Sequence, residues 1–204
     1  MRGTAAVAVL DMDLRSPYEP LEHPSVRDLV ERVDCYDLPA LDLGRYRGLA
    51  AEGMIDQEFL YRHRQLVAGY LDRGGTVVFG GHLSRPWLPG AGMFVPKVIT
   101  SFGDYGVRIV SDHPIFAGVN AHDLTYRRGV AGFFARGHNP PPAGAVVLAE
   151  LAGGEPVVYL DEHTTAGVIL VHSGYGLLGY STGETTAARI APQLIAWVSQ
   201  RVRA

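Results

Sequence analysis

The chain has 204 residues, 47% of them hydrophobic, enough for one sizeable core, and a single domain over residues 1–204 is expected. A net charge of −3, with basic residues scattered along the chain, provides no electrostatic footprint for nucleic acid or an anionic membrane, so neither is expected as a partner. No apolar run approaches the roughly 20 residues of a membrane-spanning helix, and the only cysteine, Cys35, has no second thiol to pair with, so a reducing cytoplasm is the expected location.

Val7, Ala8, Val9 and Leu10 form a short continuous apolar run closed by Asp11 and Asp13. This is the pattern of a strand buried on both faces, as in parallel sheets, and it reads as a first core strand rather than a signal peptide. Pro24 and Ser25 predict the opening of a helix in which Val26, Leu29, Val30 and Val33 recur at helical spacing, followed by a second strand over residues 35–38. A third strand is expected over residues 48–51, ending near Gly53. Asp56 then caps a helix that buries Phe59, Leu60, Leu66, Val67, Tyr70 and Leu71, and Gly74 and Gly75 stop it. Residues 76–79 form a fourth strand running into Gly80, Gly81 and His82. The alternation of strand and helix predicts an α/β fold with a doubly wound, mostly parallel sheet.

From residue 83 to about 142 the pattern loosens into a segment rich in Pro, Gly, His and Arg, with strand candidates at residues 107–110 and 130–134. Site-forming insertions are expected here. Apolar runs at residues 145–151, 157–160 and 168–171 follow, two of them close enough to pair as a late β-hairpin. The last helix presents Ile190, Leu194, Ile195, Val198 and Val202 to the core, with Pro192 expected to kink or restart it.

The turn through Gly80, Gly81, His82, Leu83 and Ser84 sits where a strand ends and the chain reverses, which in a doubly wound sheet is the ligand-binding edge. A flexible turn beside a histidine is the plainer reading. Three stretches carry a family resemblance: Tyr70 through Gly81 and His82; His113 through Gly118 and Val119; and Gly167 through His172, Ser173 and Gly174. In order and spacing they resemble the class I glutamine amidotransferase-like superfamily, in particular its ThuA-like (trehalose-utilisation) branch. The resemblance implies a flavodoxin-like, amidotransferase-like α/β fold. That family carries a cysteine in a Gly-x-Cys-x-Gly elbow and a late histidine and glutamate. Here Gly81 and His82 occupy the elbow, Cys35 lies earlier in the chain, and His172 is followed by Ser173 and Gly174 with no glutamate. Without a thiolate at the elbow no glutamyl thioester forms, so the chain is not expected to be a glutaminase.

Ser84 and Ser173 each lie near a histidine, and Asp11 or Asp13 could orient one, but the Gly-x-Ser-x-Gly elbow of a serine hydrolase is absent. Of the eight histidines, His82, His113, His122, His138 and His172 fall in loops or at strand ends, and none has a paired ligand spacing, so no metal and no cofactor is expected. Arg127, Arg128 and Arg136 are interleaved with glycines and aromatics, a setting suited to carboxylate or phosphate recognition and equally to an edge strand with solvated charges. Arg85 and Trp87 can wall a pocket or simply pack a loop, and Asp56 and Gln57 are primarily a helix cap, with lining the site as a secondary role. If parallel strands deliver His82 and His172 to one crevice, both should border it.

Two functions follow. One is a binding domain that takes a small polar or anionic ligand, or a partner protein, at the C-terminal edge of the sheet, with Asp11, Gly80, Gly81, Arg85, Trp87, Arg127, Arg128, Arg136 and Ser173 as candidate contacts. The other is a hydrolase or isomerase on a sugar-like or carbonyl substrate using His82 and His172 as acid and base. A homodimer remains open.

Overall fold

The computed structural model describes residues 6–12, 24, 26–127 and 130–201. Its strands are β1 (Val7–Asp11), β2 (Val30–Asp34), β3 (Gly48–Glu52), β4 (Thr76–Gly80), β5 (Val95–Pro96), β6 (Val107–Ile109), β7 (Tyr126–Arg127), β8 (Val130–Ala131), β9 (Gly137–His138), β10 (Val146–Leu151), β11 (Pro156–Asp161) and β12 (Val168–His172). The α-helices are α1 (Gln57–Arg62), α2 (Arg64–Asp72), α3 (Ala121–Thr125) and α4 (Ile190–Gln200).

Eight strands form one sheet in the order β2-β1-β3-β4-β12-β11-β10-β6. The pairs from β2 to β12 are parallel and those from β12 to β6 antiparallel, so the sheet is mixed and mostly parallel, with β10 and β11 as the late hairpin. Period-two alternation sends Val7, Val9, Ala50, Val78, Val168 and Leu170 to one face, where α4, α3 and the 3₁₀ turn Pro114–Phe116 cover them. Ala8, Leu10, Leu49, Ala51, Val77, Phe79, Ile169 and Val171 face the other side, under α1 and α2. The fold is therefore α/β, with helices on both faces. No helix among the described residues is long and apolar enough to cross a membrane.

Several sequence expectations are corrected. The helix predicted from Pro24 does not form: Leu29 N donates to Val26 O at 2.9 Å in a turn, and β2 begins at Val30. The apolar spacing instead belongs to an edge strand, whose Arg32 pairs with Asp11 of the neighbouring β1. Residues 35–38 are not a strand but part of a 3₁₀ helix, Cys35–Ala40, started by the Asp34 carboxylate accepting Tyr36 N–H at 2.9 Å. The helix after Asp56 divides at His63, whose ring Nδ1 bonds Phe59 O at 3.0 Å at the end of α1. Residues 130–134 form only the two-residue β8. Pro192 lies in the first turn of α4, where its missing N–H costs no intrahelical bond, and the helix runs through it. Ser25, Asp13, Arg128 and Val202, and the side chain of Arg127, lie outside the described residues.

Candidate functional site

The parallel strands all point one way, so Asp11, Asp34, Glu52, Gly80 and His172 end at a common edge. Two adjoining cavities open there. The larger, of about 470 Å³, is lined by Gln57, His82, Ser84, Phe133, Arg136 and Tyr175 among others. The smaller, about 280 Å³, lies toward β1 and is lined by Asp11, Arg32 and Glu52. Gly53, Met54, Ile55 and Tyr175 border both, so they form the wall between them. Met54, Tyr175 and Phe133 are exposed at 83%, 64% and 53% and give the cavities an apolar rim.

The turn after β4 is held by two amides. Gln57, the first residue of α1, donates through Nε2 to His82 O at 2.8 Å and accepts Ser84 N–H at 2.8 Å. On the opposite side the buried Asn139 accepts Leu83 N–H at 2.9 Å and donates through Nδ2 to Gly81 O at 2.9 Å. This bracketing leaves the His82 ring exposed on the cavity, stacked on Phe94 with centroids 3.6 Å apart. Partial burial, and then the Arg136 charge, lower the His82 pKa below that of a free imidazole. Arg136 donates through Nε to Gly132 O at 3.0 Å and has no carboxylate partner among the described residues.

The turn after β12 is held differently. Glu52, at the end of β3, accepts Leu177 N–H on Oε1 at 2.8 Å and Leu178 N–H chiefly on Oε2 at 3.1 Å, the latter shared with Oε1 at 3.4 Å. Gly53 N donates to Tyr175 O at 2.8 Å. The approach is close enough to demand glycine: a Cβ on Gly80 would meet Gly176 Cα at 2.6 Å, and one on Gly176 would meet Glu52 Oε2 at 2.5 Å. Part of the Glu52 side chain remains open to the smaller cavity, yet desolvation of its carboxyl outweighs the two amide hydrogen bonds and raises its pKa to about 7.

His172 is brought to the same edge as His82 on the neighbouring strand, with Gly81 N donating to His172 O at 3.0 Å, and the two rings interact electrostatically. Only His82 lines the cavity. The His172 ring is 1% exposed and donates through Nε2 to Phe134 O at 2.9 Å, which fixes the Nε2–H tautomer. Burial lowers its pKa to about 4. Gly174 covers it, since a Cβ there would stand 2.6 Å from His172 Cε1.

The other sequence candidates separate into cavity residues and scaffold. Gly81 and Ser84 line the larger cavity, and Asp11 lines the smaller one while paired with Arg32. Gly80 serves the close approach of Gly176. Ser173 is fully buried, its hydroxyl accepting Asn139 N–H at 2.8 Å, and so does not reach the cleft. Trp87, expected at a pocket wall, is instead buried beneath the turn, edge-on to Phe79 at 5.3 Å. Arg85 turns away to an exposed ion pair with Glu58 at 2.8 Å. Cys35 is buried at the start of its 3₁₀ helix, and desolvation pushes its thiol up to about 12. Among the described residues no group of three His, Cys, Asp or Glu side chains is placed to hold a metal ion. Sequence reading missed Glu52 and Asn139 and gave Gln57 only a secondary role. The signal for Glu52 was the one that exposed Asp11, an acid ending an apolar run. Neither a scan against protein-family models nor a search of curated proteins finds a match for this chain.

Proposed function

We propose that the chain is an amidotransferase-like domain of flavodoxin-like build that lacks glutaminase activity and binds a small anionic ligand in the larger cavity at the C-terminal edge of its sheet. The observation that carries this reading is Arg136, a guanidinium on the cavity with no carboxylate to neutralise it among the described residues. A planar, permanently charged fork in a partly apolar cleft is suited to a carboxylate or phosphate. His82, held neutral near physiological pH by its lowered pKa, offers a hydrogen bond without a second charge. Phe133, Met54 and Tyr175 supply apolar surface for the rest of the ligand. The absence of glutaminase activity is supported by Cys35, whose thiol is buried and too basic to serve as a nucleophile at neutral pH. An acid–base pair of His82 and His172 finds less support, because the His172 ring is buried with its Nε2 committed to Phe134 O.

The test is titration of the protein with sulfate and a panel of small carboxylates, followed by amide NMR shifts of residues around the cavity. Saturable shifts at His82, Arg136 and Tyr175, weakened about tenfold or more in Arg136→Ala with its melting temperature retained, are expected. Binding unaffected by Arg136→Ala, or no shift with any anion, overturns the reading. Ammonia release from glutamine is expected to stay at background in the native protein and in Cys35→Ala.

A further inference from the structure

We propose that Glu52 is a proton-linked positioning residue of this cleft: its carboxyl grips the turn over residues 174–178 and sets where the Tyr175 wall stands between the two cavities. The inference rests on the ligand-binding reading only for its consequence, not for its geometry. Three contacts tie one carboxyl to one turn: the amides of Leu177 and Leu178 point at its two oxygens, and Gly176 lies against its side chain. Within that turn Tyr175 borders both cavities, its ring against Gly53 and its carbonyl oxygen taking Gly53 N–H at 2.8 Å.

The two protonation states make different demands on the turn. An ionised carboxylate accepts both amides in charge-assisted hydrogen bonds, which draw residues 177 and 178 onto β3. A protonated carboxyl loses acceptor strength on one oxygen and gains a donor, so one of the two amides must relax or find water. Burial that disfavours the charge outweighs the amides that favour it, which raises the exchange to near neutral pH. The charged and titratable groups around it among the described residues are Asp11 and Arg32, paired with each other, the Tyr175 phenol, and, beyond the Tyr175 wall, His82 and Arg136. Among the described residues Glu52 forms no ion pair, so the turn is its principal partner. An anion in the larger cavity adds a like charge across the wall, so anion uptake and the Glu52 proton should favour each other by linkage.

The experiment is a pH titration of backbone amides by NMR on the full chain without ligand. In the native protein Leu177 and Leu178 are expected to shift with one midpoint near 7, and Gly174 and Tyr175 to follow the same midpoint; in Glu52→Gln the response of all four disappears. If Glu52→Gln does not fold, the native titration decides. Shifts of Leu177 and Leu178 without Gly174 and Tyr175, or a midpoint at an ordinary carboxyl value, overturn the proposal. In the linked measurement, sulfate affinity is expected to fall on the order of tenfold from pH 6 to 8 in the native protein and to change much less in Glu52→Gln. A native affinity flat over that range overturns the linkage. Amide responses as expected with no sulfate binding at all support the grip of Glu52 on the turn and overturn the anion reading alone.

Discussion

Two turns meet at the C-terminal edge, and they are secured by different chemistry. The turn after β4 is bracketed by the neutral amides of Gln57 and Asn139, while the turn after β12 is gripped by the titratable carboxyl of Glu52. Neutral brackets hold the same geometry at every pH in which the protein folds. A carboxyl in a desolvated setting holds it conditionally. One wall of the cleft is thus fixed and the other responsive, although both turns leave adjacent parallel strands.

The sharpest way to break the fixed wall is Asn139→Ala. Its side chain satisfies Leu83 N–H and Gly81 O, both on buried residues, and alanine leaves the donor and the acceptor without partners. At about 1–3 kcal/mol for each orphaned group, a loss of about 2–6 kcal/mol is expected by denaturant unfolding. A loss below about 1 kcal/mol would show that water replaces the amide and that the wall is not held as described.

The responsive wall is tested by pH. Glu52 has a folded pKa of about 7 against an ordinary 4.5, so the native state holds the extra proton between these values and stability falls as pH rises through that window. His172 has a folded pKa of about 4 against 6.5, so there the unfolded state holds the extra proton and stability rises with pH. The slopes of these two groups oppose each other between 4.5 and 6.5 and largely cancel there, leaving in the native protein the smaller rise with pH that the lowered pKa values of His82 and His113 contribute. Glu52→Gln removes one slope and exposes the other: stability should then rise more steeply with pH from about 4 to 6.5, His172 contributing at most about 1.4 kcal/mol per pH unit. Matching profiles for the two proteins across pH 5–8 would sink the assignment of Glu52 as the titrating group.

What the sequence made legible, and what it hid, follows the same division between local and distant contacts. β1, β3, β4 and β12 are read from continuous apolar runs because each is covered on both faces, and the glycines after β4 mark the cleft. β2 was hidden because an edge strand has a polar ladder, and the apolar residues around it fall by chance at helical spacing. Trp87 and Ser173 were assigned to the cleft from their position beside its turns, but side-chain direction separates wall from scaffold and sequence spacing does not encode it. Asn139 and Glu52 act across 58 and 125 positions of sequence, each as a single polar residue without a motif. Of the three brackets only Gln57 sits beside a readable feature, the Asp56 cap, and so only it entered the sequence reading at all.

Gln57 also gives the smallest effect and the finest comparison. Its amide holds the same turn as Asn139, but from the exposed side, where water can take over both His82 O and Ser84 N–H when the side chain is removed. Gln57→Ala should therefore cost about 1 kcal/mol or less, against the larger loss at Asn139. Its mark should instead be local, because His82 and Ser84 line the cavity and their backbone is what Gln57 restrains. Faster amide hydrogen exchange at Ser84, with Leu83 still protected by Asn139, is the expected pattern. Equal deprotection of both amides would mean that the turn opens as one unit and that the two brackets are not independent, while a stability loss as large as that of Asn139→Ala would place Gln57 among the buried supports of the fold rather than on the rim of its cleft.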